Sequence, residues 1–286
     1  MRTQLDCLPC FLRQTLEAAR MVSPDPGVHR TLLRRVLGWT ARMDLAAPPP
    51  AMGQRIHRHL RQLSGNSDPY RLAKRRQNRL ALEMLPALRE KVRRSADPLD
   101  LALRLAVAGN VIDLGVGAEL DLEEVGKAIR RSLDRPLDYD RRRLEAMIHK
   151  AQSILYLADN AGEIVLDRLL LEQLPRGRVT LAVRGGPVIN DATMVDARQA
   201  GITDICPVID NGSDAPGTIL KDCSPAFRRE FRRAGLVIAK GQGNYETLNQ
   251  SGKDIIFLFQ AKCPVVAAKS GHPVGTRLCL IRQGRR

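Results

Sequence analysis

Residues 153–167 read Ser-Ile-Leu-Tyr-Leu-Ala-Asp-Asn-Ala-Gly-Glu-Ile-Val-Leu-Asp. The run 153–158 is short, mostly apolar and rich in β-forming residues, the length of a central strand. Asp159-Asn160-Ala161-Gly162 supplies turn chemistry. From Glu163 onward the apolar residues Ile164, Leu166, Leu169, Leu170 and Leu174 recur with helical spacing. The stretch is therefore a strand, a tight turn and a helix. Asp159 and Asn160 stand at the carboxyl end of the strand, the edge at which open α/β sheets bind ligands. Two oxygen-bearing side chains there suit a hard cation. The competing reading is that either residue only caps the helix.

The same grammar repeats toward the carboxyl end. Residues 178–184 form a second buried strand, followed by the loop Gly185-Gly186-Pro187-Val188-Ile189-Asn190-Asp191. A short helix at 192–200 ends at Gly201, and 204–209 is a third strand leading to the loop around Gly212-Ser213-Asp214. A basic amphipathic helix at 225–234 precedes a fourth strand at 236–239, which runs into Lys240-Gly241-Gln242-Gly243-Asn244. Residues 255–260 and 264–268 are further strand candidates. Alternating strands and helices predict an α/β fold, with a mostly parallel sheet covered on both faces. Equivalent strand ends then share one edge, which brings four polar loops together.

Asp159, Asn160 and Asp191 offer three oxygen ligands with room for water and substrate oxygens. That is a pattern for Mg²⁺ or Mn²⁺ rather than for zinc. Lys240, flanked by glycines, is positioned to neutralise a phosphate beside a backbone anion nest. A metal, a lysine and an acidic group suit metal-assisted phosphate-ester hydrolysis. The spacing does not decide whether water or a carboxylate attacks. Neither a Gly-x-x-x-x-Gly-Lys-[Ser/Thr] loop nor a Gly-x-Ser-x-Gly elbow occurs, which disfavours an NTPase or an esterase of those types.

Residues 1–150 read as all-helical and form a domain distinct from the α/β domain of 151–286. Pro24-Asp25-Pro26-Gly27 breaks the first helix, and helices follow at 28–43, 52–63, 70–94, 121–132 and 140–152, with another starting at Asp97-Pro98. The prolines of 46–50 read as a linker. His57 and His59, two apart, point to different faces and read as surface residues rather than ligands. The run Lys74-Arg75-Arg76-Gln77-Asn78-Arg79 reads as a solvated face. Asn110 and Asp113 sit among glycines and apolar residues, either as a cap or as a contribution to the site. Cys7-Leu8-Pro9-Cys10 opens a helix. Its thiols suit a redox pair, half of a second metal site completed by Cys223 or Cys263, or simply small apolar positions.

Composition narrows the partners. The chain of 286 residues carries a net charge of +15, and residues 1–150 hold 28 Lys and Arg against 18 Asp and Glu, so +10 of it is N-terminal. Only 3% of residues are aromatic, too few for the stacking platforms that single strands need, so a nucleic-acid partner is disfavoured. Anionic small molecules fit the charge better. No run of about 18 apolar residues is present and no apolar signal core opens the chain, so the expectation is a cytoplasmic protein with reduced cysteines and no membrane span. The oligomeric state is not legible.

Asp159-Asn160-Ala161-Gly162-Glu163, the stretch from Arg184 through Asn190-Asp191-Ala192-Thr193, and Lys240-Gly241-Gln242-Gly243-Asn244-Tyr245-Glu246 resemble the damage-control phosphatase family, also known as domain of unknown function 89. Cys7-Leu8-Pro9-Cys10 and Gly109-Asn110-Val111-Ile112-Asp113 resemble its prokaryotic branch. The match runs in order from about residue 5 to residue 270. The resemblance implies a helical domain on a Rossmann-like, three-layer α/β/α domain. It implies a divalent metal (Mn²⁺ or Mg²⁺, with Co²⁺ or Ni²⁺ as alternatives) on Asp159, Asn160 and Asp191. It also implies phosphatase activity on small phosphorylated metabolites such as sugar phosphates or damaged cofactor precursors. Asp159, Asp191 and Lys240 are then the candidate catalytic residues. Asn110, Glu163, Gly212, Ser213 and Asn244, with Lys240, are the candidate substrate contacts. The eukaryotic branch carries an acidic residue where Gly-Gln-Gly-Asn follows the lysine here, so its substrates do not transfer. Two other readings stand beside this one: an S-adenosylmethionine-dependent carboxyl methyltransferase, for which no glycine-rich cofactor loop is seen, and a non-enzymatic basic nucleic-acid-binding module.

Overall fold

The apolar run after Ser153 forms β1 (Ile154–Leu157), buried along its whole length, and Glu163 opens α8 (Glu163–Leu171). The computed structural model describes residues 1–109, 122–134 and 137–284. β1 lies between β2 (Val179–Val183) and β4 (Leu236–Lys240), in a six-stranded sheet of order β3-β2-β1-β4-β5-β6 completed by β3 (Val208–Asp210), β5 (Ile255–Gln260) and β6 (Arg277–Arg282). β1 to β5 are parallel, and only β6 runs antiparallel, on β5. Side chains alternate across each strand. Ile154, Tyr156, Leu181 and Ile238 face one core, and Leu155, Leu157, Val237, Phe257 and Phe259 face the other. Both faces are covered, which is why the parallel strands read as continuous apolar runs.

The first core is shared with helices from the N-terminal half. α4 (Arg71–Arg93), α5 (Pro98–Ala108) and α7 (Arg141–Lys150) contribute Leu80, Leu85, Leu103, Leu105, Leu144 and Ile148, alongside α6 (Leu122–Leu133), α8 and α9 (Met194–Gln199). The other face carries α10 (Pro225–Arg233), α11 (Gln242–Leu248) and α12 (Pro264–Ser270). α1 (Cys7–Val22), α2 (Pro26–Thr40) and α3 (Pro49–Ser64) build a third cluster from Phe11, Leu32, Val36, Met52, Ile56 and Leu60. Helix starts are set by local chemistry: Asp25, Asp97, Asp140 and Ser224 each accept a backbone N–H at their N-cap. Among the described residues no helix is long and apolar enough to cross a membrane.

Five local expectations are corrected. Residues 264–268 are helical, because Pro264 presets the first turn and Gly271, at φ +79°, closes the last. The third strand is only three residues long: a 3₁₀ turn spans Ile202–Asp204, and Pro207 has no N–H to give a ladder. His57 is buried rather than on the surface, packed edge-on against Tyr70, while His59 meets Trp39. Lys74, Gln77 and Asn78 are buried too, so only part of the 74–79 run is a wet face. Pro49 and Pro50, read as linker, form the first turn of α3.

Glu246 on α11 yields a prediction. It is buried, and its carboxylate accepts from Gln242 Nε2 at 2.9 Å. Burial pushes its carboxyl up to about 7. A raised folded-state value means the stability it contributes is complete below the ordinary carboxyl range and is lost as pH rises through about 7. Glu246→Gln is expected to remove that dependence, leaving the variant roughly 2–4 kcal/mol more stable than wild type at pH 8 and near wild type at pH 4–5. Urea unfolding across this range checks it; parallel pH profiles would reject it.

Candidate functional site

The strand order reverses between β1 and β4, and the loops that leave their carboxyl ends face each other across that crevice. Two loops are zipped together there. Asn160 and Asp191 form a β-bridge, the Ala192 N–H donates to the Asp159 carbonyl at 2.7 Å, and the Ala161 N–H donates to the Asn190 carbonyl at 2.9 Å. This places the Asp159, Asn160 and Asp191 side chains at one spot. Neither Asp159 nor Asn160 caps α8, whose N-cap is Gly162 without a side-chain cap bond. Gly162 is instead held by Asn78 of α4, whose Oδ1 accepts its N–H at 2.7 Å.

Arg184, just after β2, organises the carboxylates. Its Nε donates to Asp191 Oδ2 at 2.6 Å, and its Nη2 lies 3.6 Å from Asp159 Oδ1. That Nη2 is buried and has no hydrogen-bond partner among the described residues. Asn160 Nδ2 bridges Asp159 Oδ2 at 2.9 Å and Glu163 Oε2 at 3.2 Å. The Asp159 side chain keeps 13% exposure, against 5% for Asp191, so it is the carboxylate that faces outward. Burial, and after it the charges of Glu163 and Asp191, push the Asp159 carboxyl well above the usual range; Arg184 and Lys262 oppose the shift. Lys262 is an exposed residue in the loop after β5. A carboxyl crowded in this way by neighbouring acids is a chemical fit for a cation. The donors are two carboxylates and one amide oxygen, leaving further positions to water or substrate. Among the described residues no three His, Cys, Asp or Glu side chains gather to hold a metal by themselves.

Several expected contacts have a scaffold role in the geometry. Lys240 is fully buried, and its Nζ spends its three protons on Glu163 Oε1 at 2.5 Å, Asp167 Oδ1 at 2.6 Å and the Ala106 carbonyl at 2.8 Å. No donor is left for a phosphate, so the direct phosphate contact expected of it is corrected to an ion-paired brace behind the site. Glu163 is buried between Lys240 and Asn160. Asn244 donates to the Lys240 and Ala158 carbonyls and accepts from Thr218 and Arg184, which exhausts the carboxamide. Ser213 donates to Asp222 at 2.5 Å, and a Cβ on Gly212 would strike Ser224. Gly212, Ser213, Asn244 and Glu163 are therefore structural in this geometry. Asn110 and Asp113 lie outside the described residues.

Arg184, Asp167, Asn78 and Lys262 were not singled out from the sequence. Asp167 had a usable signal, since it follows Glu163 by four and so shares its helix face. The six cysteines are all free, and Cys7, Cys10 and Cys263 lie within electrostatic reach of one another. Cys223 belongs instead to the core under α10.

A family model described as the damage-control phosphatase ARMT1-like domain matches residues 3–278. The chain belongs to the damage-control phosphatase ARMT1-like family. A Pyrococcus horikoshii protein named damage-control phosphatase is 34% identical over 287 residues, covering 98% of each chain. An uncharacterized protein of Methanocaldococcus jannaschii is 37% identical over 294 residues, covering 97% of this chain and 94% of its own. The crystal structure of a DUF89 family protein from Pyrococcus horikoshii superposes with a TM-score of 0.90 at 31% identity, covering 99% of this chain and 100% of that one. This membership in the damage-control phosphatase family agrees with the α/β architecture read from residues 153–167 and with the resemblance of the three strand-end motifs.

Proposed function

We propose that the chain is a divalent-metal-dependent phosphomonoester phosphatase acting on small phosphorylated metabolites, such as sugar phosphates or damaged cofactor precursors. The observation that carries the reading is the outward-facing Asp159 carboxyl, crowded by Asp191 and Glu163 and flanked by the unpartnered Nη2 of Arg184. Asp159, Asp191 and the Asn160 amide oxygen would hold the ion, which would supply Lewis-acid polarisation of the phosphoryl group and orient the nucleophile. Asn160 Nδ2 fixes the Asp159 carboxylate. Arg184 aligns Asp191 through Nε and offers Nη2 to a phosphate oxygen. Lys262, exposed and within electrostatic reach of Asp159, takes the charge-balancing part that Lys240 is too deeply paired to play. Lys240 is a positioning residue, acting through Glu163 and Asn160. The names of the relatives support a phosphatase and do not favour the methyltransferase reading.

The test is phosphate release from pentose and hexose monophosphates with Mn²⁺, Mg²⁺, Co²⁺ or Ni²⁺, against EDTA. Release with at least one metal and its loss in EDTA are expected. No release with any metal would overturn the phosphatase reading, and release indifferent to EDTA would overturn its metal dependence.

A further inference from the structure

A cleft of about 390 Å³ opens between α1, α3, the residue preceding α4 and the loop before Asn190. Its floor includes His57 and Tyr70, 7% and 5% exposed, and its walls include Met21 and Ile189. The two rings meet edge-on with centroids 5.7 Å apart. Among the described residues the imidazole and the phenol make no hydrogen bond to the protein, yet neither is among the buried polar atoms left without a partner, so their polar atoms open to the cleft. Two side chains whose rings are buried and whose polar atoms open into one cleft are placed to hydrogen-bond a ligand seated there.

The cleft adjoins the strand-edge site. Ile189 stands two residues before Asp191, and two Cα steps span at most about 7.6 Å. Ile189 is the only non-glycine residue with positive φ (43°) among those described. A β-branched side chain in that region is strained, and such strain gathers where a backbone is held for function. The hold is visible: Arg61 donates to the Pro187 carbonyl at 2.6 Å, and the Asp191 N–H donates to the Val188 carbonyl at 3.0 Å.

We propose that this cleft receives the organic part of the phosphorylated substrate, and that His57 and Tyr70 select an uncharged part bearing hydroxyl or amide groups. This rests on the phosphatase reading above. The lining has no Lys or Arg, and its charged member is Glu17 at the rim. Burial, with Arg61 nearby, holds the imidazole neutral by pushing its titration down to about 4. A neutral imidazole and a phenol each donate and accept one hydrogen bond, which suits a polyol or an amide. A second phosphate or a carboxylate on the same part of the molecule would meet Glu17 at the rim, and Arg61, the cation near His57, is already engaged by Asp214 and the Pro187 carbonyl. The volume suits one small ring or a short chain.

The experiment compares kcat/KM for pentose and hexose monophosphates, their bisphosphates and methyl phosphate, which is too small to reach the cleft, in wild type, Tyr70→Phe and His57→Phe. Wild type is expected to prefer monophosphates to bisphosphates at least tenfold. Each variant is expected to lower the ratio of sugar-phosphate to methyl-phosphate kcat/KM roughly three- to tenfold, the share of one hydrogen bond. An unchanged ratio overturns the proposal, as does a preference for bisphosphates. If wild type hydrolyses no phosphomonoester, the phosphatase reading fails by itself, and the cleft is judged by binding. Phosphate-free pentoses, hexoses and N-acyl amides are titrated while the His57 imidazole resonances are followed. Shifts in wild type that weaken in Tyr70→Phe support the cleft, and their absence overturns it.

Discussion

Lys240→Met is expected to destabilise the fold by about 3–5 kcal/mol at neutral pH, the range for removing one partner of a buried ion pair. The ammonium is wholly buried, as are the two carboxylates it serves, and all three of its protons are bonded. Methionine replaces the length of the side chain but leaves Glu163 and Asp167 in the core without the cation they share. The escape for Asp167 is to take up a proton. With Lys240 present, burial already pushes Asp167 up to about 6. Without it, the Asp167 carboxyl loses the charge that holds it down and would titrate higher still in the folded chain. Groups raised in this way lend stability at low pH and lose it as pH rises, so the variant is expected to recover toward wild type at pH 5 and to suffer most at pH 8. The triple variant Lys240→Met, Glu163→Gln, Asp167→Asn should regain much of the loss, because none of the three charges of this buried cluster remains. Urea unfolding at the two pH values decides; a loss below about 1 kcal/mol at pH 8 would mean that water or a rearranged side chain already serves these carboxylates.

The direction of Lys240 is also where sequence reasoning ran out. A lysine at a strand end followed by glycine looks the same whether its amine faces ligand or core. The answer lies in the packing of α5 and α8, which deliver the Ala106 carbonyl and two carboxylates from far along the chain. By contrast, residues 153–167 were legible because the apolar period changes from strand to helix within a few residues, and turn chemistry separates the two. The convergence of Asp159 with Asp191 followed from strand order alone, since parallel neighbours bring equivalent loops to one edge. Other misreadings came from letting residue type outrank position. Lys74, Gln77 and Asn78 continue the stripe of Ala81 and Leu85 along α4, and that stripe points inward regardless of polarity. His57 lies three residues before buried Leu60 and one after buried Ile56, on the edge of the α3 stripe. Arg184 reads only as the last residue of the second strand, because nothing local shows that a guanidinium will bridge two distant acids.

Gly241→Ala is expected to abolish activity as completely as Asp159→Asn, each by at least about 100-fold, although residue 241 carries no functional group. Gly241 has φ +80°, and a Cβ there would fall on the Asp159 carboxylate, well inside contact distance. The carboxylate has nowhere to go: Asn160 Nδ2 holds one oxygen, and the Arg184 guanidinium lies against the other. Either the side chain turns out of the site or the β4–α11 junction shifts, and a displacement of about 1 Å at a reacting group costs on the order of 100-fold. Asp159→Asn leaves the shape intact and removes the charge a cation needs. The two variants separate on stability. The alanine adds the cost of a left-handed backbone, about 1–2 kcal/mol, to the clash, whereas the asparagine should melt within a few degrees of wild type. Phosphate release with the best metal, paired with thermal unfolding, reads both. If Gly241→Ala retained more than a tenth of wild-type turnover, Asp159 would be free to move, and a rigid carboxylate at the end of β1 could not be what the chemistry uses.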